Sequence, residues 1–122
     1  MNIRIVETNG IKIAVVESDA LVITDGQSAL DLAATIDYEF GTQRVIIPKS
    51  AVCEDFFKLS TGVAGEVAQK FVNYGFYVAI VGDFSGYTSK PLRDYIYECN
   101  NGRHMNFVAA EAAAIERLGR TV

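Results

Sequence analysis

The segment GDFSGYTSKPLRDYIYECNNGRH, residues 82–104, holds carboxylate, ammonium, phenol, hydroxyl, thiol and imidazole groups in one short run. Asp83 offers a general base, and Tyr87 or Lys90 offers electrophilic help beside it. A second polar run supplies Lys49, Ser50, Glu54 and Asp55. The paired carboxylates Glu54 and Asp55 would suit acid–base work only if they converged, and neighbours on an irregular loop usually diverge. In LSTG, Ser60 and Thr61 present hydroxyls ahead of a helix, where a phosphate would meet the helix N-terminus. His104 is the sole histidine and so the first suspect for proton transfer near neutral pH. Cys99 and His104 lack the further ligands of a zinc site, and Cys53 and Cys99 form no CxxC pair. No phosphate-loop, dinucleotide, nucleophile-elbow or zinc-protease motif occurs. No catalytic residue, metal ligand or cofactor is assigned.

These groups depend on the elements that carry them. Ile3–Glu7 and IKIAVVES flank Asn9-Gly10, the pattern of a β-hairpin. Leu21–Ile23 reads as a short third strand or an extended lead-in. Asp25 caps a first helix in which Ala29, Ala33, Ile36 and Phe40 recur at helical spacing, and Gly41 stops it. Arg44–Pro48 is a short buried strand. STG opens a second helix with Ala64, Val67, Ala68 and Phe71 inward and Glu66, Gln69, Lys70 and Asn73 outward. Phe76–Gly82 is continuously apolar, as a central parallel strand requires. Ser89 or Thr88 caps a third helix, Pro91 falls in its first turn, and Leu92, Tyr95, Ile96 and Cys99 form its apolar stripe. Asn106–Ala109 is a further strand and Glu111–Gly119 a last helix with Ile115 and Leu118 inward. The order predicts one α/β domain over residues 1–122, with a mixed, mostly parallel sheet and an antiparallel hairpin at its start.

Half of the 122 residues are hydrophobic, enough for one core and no second domain. The formal charge is −4, and the 11 basic residues look scattered along the chain, which argues against nucleic-acid binding. The start MNIRIVETNG lacks a secretory pattern and no apolar run is long enough to span a bilayer, so the expected setting is cytoplasmic, with reduced cysteines.

Residues 82–102 carry a specific resemblance. Gly82, Asp83, Phe84, Ser85, Tyr87, Thr88, Ser89, Lys90, Leu92, Arg93, Asp94, Ile96, Tyr97, Glu98, Asn100 and Gly102 match a signature resembling that of the bacterial domain of unknown function 4180 family. The similarity continues through EDFFKLSTGVAGEVAQKFVNY and NGIKIAVVES, and Pro91 departs from it where a polar residue is expected. It implies no activity. A weaker, fold-level similarity links LSTGVAGEV and the element order to STAS domains of anti-sigma-factor antagonists. There, Leu59 replaces the aspartate that usually precedes the phosphorylatable hydroxyl.

Ligands of parallel sheets bind beyond the carboxyl ends of the strands. If the strands ending at Pro48 and Gly82 are neighbours, Lys49, Glu54, Asp55, Asp83, Tyr87, Ser89 and Lys90 share one edge. The favoured reading is a non-enzymatic regulatory or binding module recognising a protein partner or a small anion there. The alternatives are a small enzyme around Asp83, Tyr87 and Lys90, or a phosphoswitch at Ser60 or Thr61. Against the pocket stands the plainer reading, that Ser89 and Thr61 are caps, Asp55 and Asp83 turn-formers and the lysines solvated. By its length, the third helix should carry His104 to the opposite edge from Asp83, leaving it a turn residue. Phe56, Phe57, Tyr95 and Tyr97 either complete the core or leave an aromatic surface for a partner or a homodimer.

Overall fold

Alternating apolar residues on either side of Asn9-Gly10 fold back as strands β1 (Asn2–Thr8) and β2 (Ile11–Glu17). The turn needs positive φ at both residues, and Asn9 (54°) and Gly10 (76°) supply it. The computed structural model describes residues 1–120. After β2 the chain alternates helix and strand: α1 (Gly26–Phe40), β3 (Arg44–Pro48), α2 (Val63–Asn73), β4 (Tyr77–Val81), α3 (Lys90–Asn100), β5 (Met105–Val108) and α4 (Glu111–Leu118). Leu21–Ile23 is an extended lead-in, joined to the segment after β3 by an Ile23–Val52 bridge and by Val22 N donating to the Ala51 carbonyl at 2.7 Å. The result is a mixed α/β domain whose five-stranded sheet is parallel apart from the initial hairpin.

Local signals set the helix limits. Asp25 accepts from Ser28 N at 2.8 Å while Ser28 Oγ accepts from Asp25 N at 3.1 Å, a reciprocal cap on α1. Gly41 closes α1 in the left-handed region at φ 65°. Ser89 caps α3, with Pro91 in its first turn. The second helix differs from expectation. Three short 3-10 turns fill Lys49–Thr61, and α2 starts behind Gly62 (φ 79°) with no side-chain cap on that residue. Thr61 Oγ1 accepts from Val63 N, the first residue of α2, at 3.3 Å, and donates to the carbonyls of Asp55 (2.6 Å) and Lys58 (2.8 Å).

The strands lie in chain order, β1-β2-β3-β4-β5. Each parallel crossover steps the same way, so right-handed connections must put α1, α2 and α3 on one face. There Ala14, Val16, Val45, Ile47, Val78, Ile80, Met105 and Phe107 pack with Ile36, Phe71 and Leu92. Full burial of Phe71 alone contributes roughly 1.5–3 kcal/mol. The alternate residues Ile13, Val15, Ile46 and Ala79 meet Ala114 and Leu118 of α4 on the other face. Covered on both faces, the central strands read as unbroken apolar runs. Phe56 and Phe57 are both buried and join the larger core, so neither supplies an exposed aromatic. Tyr97 is exposed (71%), and so is Tyr38 (92%), which the helical spacing of α1 leaves outside the apolar stripe.

Candidate functional site

At the carboxyl edge β3 and β4 are parallel neighbours, with Pro48 opposite Val81, so the loops that leave them emerge side by side. Lys49 Nζ stands 3.7 Å from Glu54 Oε1 and over the rings of Tyr87 (5.0 Å) and Phe57 (5.5 Å). The Tyr87 hydroxyl donates to the Glu54 carboxylate at 3.0 Å, and its ring stacks on Phe57 at 5.0 Å. Lys49 has room because Gly82 has no side chain; a Cβ there would sit 2.5 Å from Lys49 Cβ. The Tyr87 hydroxyl, ahead of Glu54, raises the Lys49 ammonium above its usual pKa. Burial raises the Tyr87 phenol, so both groups stay protonated.

Asp83 is turned to its own loop. Its Oδ1 accepts from the Ser85 hydroxyl at 2.6 Å and from Ser85 N at 2.9 Å, which lowers its pKa. Lys90 lies against Asp94 at 2.6 Å on α3, and Ser89 is occupied as that helix's cap. Glu54 meets Lys49 and Tyr87 through its carboxylate, whereas Asp55 accepts from the Thr61 hydroxyl through its backbone carbonyl. Ser60 is exposed in the turn ahead of α2. The edge therefore gathers Lys49, Glu54 and Tyr87 into one closed cluster, with Asp83 close enough to Lys49 to feel its charge. Asp55, Ser60, Ser89 and Lys90 stand apart from it.

The amino edge holds the larger concentration of unneutralised charge. Arg44 and Tyr77 are register partners, and the β4–β5 pairing sets His104 beside Tyr77. The three side chains stack in a row: Arg44 Cζ lies 4.9 Å from the Tyr77 ring, and the His104 ring lies parallel to it at 5.0 Å. His104 is thus at the edge opposite Asp83, half-buried against a partner; its Nδ1 is 3.2 Å from the Phe76 carbonyl. A cavity of about 370 Å³ opens here, lined by Arg44, Arg103, Arg117 and Arg120 together with Tyr77 and Asn106, and among the described residues by no carboxylate side chain. Arg44 donates to the Leu118 carbonyl and Arg117 to that of Asn100, both at 2.6 Å, which fixes their guanidiniums. Arg120 pairs with Glu116 at 3.2 Å. Among the described residues no carboxylate lies within salt-bridge distance of Arg44, Arg103 or Arg117.

A family model described as Domain of unknown function (DUF4180) matches residues 8–118. The chain belongs to that family. The match runs from the end of β1 to the end of α4 and so takes in both edges. No curated protein and no solved structure matches the chain.

Within this family member, the arginine cleft corrects the impression of scattered cations. Its arginines come from the start of β3, the turn before β5 and the end of α4. Parallel strands all begin at one edge, and α4 runs back across the sheet, bringing its C-terminus to that same edge. Basic residues at strand starts and at the close of the last helix must therefore meet. That pattern was the signal available in the sequence. Among the described residues no group of three or more metal-ligating side chains occurs, and no helix is long and apolar enough to cross a membrane.

Proposed function

We propose that the chain is a cytoplasmic, non-enzymatic module that binds a small anion in the arginine-lined cleft at the amino edge of the sheet. The supporting observation is the convergence of four of its six arginines on one cavity, with no carboxylate side chain among the described lining residues, in a chain of net charge −4. At about 370 Å³ the cleft falls within the roughly 300–1,000 Å³ of ordinary ligand pockets. Two of its guanidiniums are already oriented by backbone carbonyls, so little side-chain freedom is lost when a carboxylate or phosphate accepts their remaining N–H groups. The carboxyl edge supports anion binding less well, because Lys49 and Lys90 face Glu54 and Asp94. It supports the enzyme reading less well too, since Asp83 and Tyr87 already bond Ser85 and Glu54.

Calorimetric titration with inorganic phosphate and citrate tests this reading. A charge-assisted hydrogen bond is worth roughly 1.5–3 kcal/mol, so Arg103→Gln and Arg117→Gln should each weaken binding about ten- to a hundredfold. Arg93→Gln, on the exposed face of α3, should leave it unchanged. Equal binding by the wild type and the Arg103→Gln/Arg117→Gln double variant would overturn the proposal.

A further inference from the structure

We infer that the preferred anion is amphipathic, a free carboxylate whose head lies in the arginine cleft and whose short hydrocarbon chain lies in the apolar groove beside it. The inference rests on the anion-binding reading above and names the ligand class. The groove, about 220 Å³, lies between α2 and the last turn of α3, walled by Ala68, Phe71, Val72, Cys99 and Met105. Gly102 and Arg103 line both this groove and the cleft, so the two cavities meet at the turn that leads into β5. A cation stands at their junction, where the head of such a ligand would join its tail.

Size and polarity support one occupant across both. Alone, the groove is smaller than the roughly 300–1,000 Å³ of ordinary ligand pockets, so it is better understood as an extension of the cleft. Its walls are nearly all apolar. Val72 is left 43% exposed at the rim, and burial keeps the Cys99 thiol protonated as an apolar wall. A phosphate or citrate ion would fill the cleft alone and leave this surface wet. An alkanoate would cover it, and the recess between two helices suits a single free chain.

Titration of the full chain with acetate, butanoate, hexanoate and octanoate, with inorganic phosphate alongside, tests the inference. Affinity should rise with length, by up to about fourfold for each fully buried methylene. Octylammonium should not bind. Ala68→Phe, which fills the groove, and Val72→Gln, a mild change at an exposed helix position, should both flatten the length dependence and leave phosphate binding intact. If phosphate binds but alkanoate affinity is flat with length, the inference is overturned and the anion reading stands. The inference is also overturned if the rise survives in both variants, or if octylammonium matches octanoate. If neither phosphate nor any carboxylate binds, the anion reading itself is wrong and the inference falls with it.

Discussion

Replacing Gly82 by alanine tests whether the Lys49–Glu54–Tyr87 cluster is a structural clasp. Two effects compete. Alanine restricts the unfolded chain, which by itself stabilises by about 0.4–1 kcal/mol. Against this, the new methyl would lie 2.5 Å from Lys49 Cβ and 3.0 Å from its Cδ. The first of these atoms is fixed to the backbone, so rotation of the lysine side chain gives no relief. Lys49 also follows Pro48, whose ring holds φ at −71° and whose strand is paired with β4, so the backbone yields little. Overpacking of this kind costs typically ~1–3 kcal/mol. The clash wins, and Gly82→Ala should lose about 1–2 kcal/mol. At roughly 4 °C per kcal/mol for a domain of this size, the melting point should fall by ~4–8 °C. Urea denaturation followed by circular dichroism provides the measurement. Gly65→Ala is the matched control: it sits in α2 with nothing within 4 Å of an added Cβ, and should gain about 0.5–1 kcal/mol. A Gly82→Ala protein as stable as the wild type would refute the reasoning.

Alkaline titration should loosen the same clasp. Lys49 and Tyr87 have folded pKa values raised above their ordinary 10.5 and 10.0, so their contribution is complete below about pH 10. It is lost as pH rises through the folded values, and urea midpoints should fall there more steeply in the wild type than in Tyr87→Phe. Glu66→Ala should also destabilise, by about 0.5–2 kcal/mol, as loss of a helix N-cap does. The Glu66 carboxylate accepts from Gly26 N, the first residue of α1, at 3.1 Å, and a thermal melt unchanged by the substitution would contradict that role.

Most of the framework was legible because local chemistry dictated it. Asn9-Gly10 specified the hairpin, Asp25 and Ser89 marked helix starts, and Gly41 marked an end. Pro48 closed β3 where the apolar run stopped. The segment Lys49–Thr61 was harder, because successive 3-10 turns have no single period, and both Phe56 and Phe57 turn inward. Glu66 fell on the polar side of its helix by periodicity, yet that side faces the start of α1; only the packing of the two helices reveals its partner. Convergence of the carboxyl-edge loops followed from β3 and β4 being neighbours, as anticipated. What the linear pattern hid was pairing, with Lys49 satisfied by Glu54 and Lys90 by Asp94. The cleft was hidden for the opposite reason. Arg44 and Arg117 are 73 positions apart in the chain and meet only through strand order and the return of α4.

The most direct measurement is chemical-shift mapping of the isotopically labelled full chain during titration with citrate. The account predicts saturable shifts at the amides of Arg44, Tyr77, Arg103, Asn106 and Arg117, with those of Lys49, Ser85, Ser89 and Lys90 unmoved. Shifts concentrated at the carboxyl edge, or none at any citrate concentration, would contradict it.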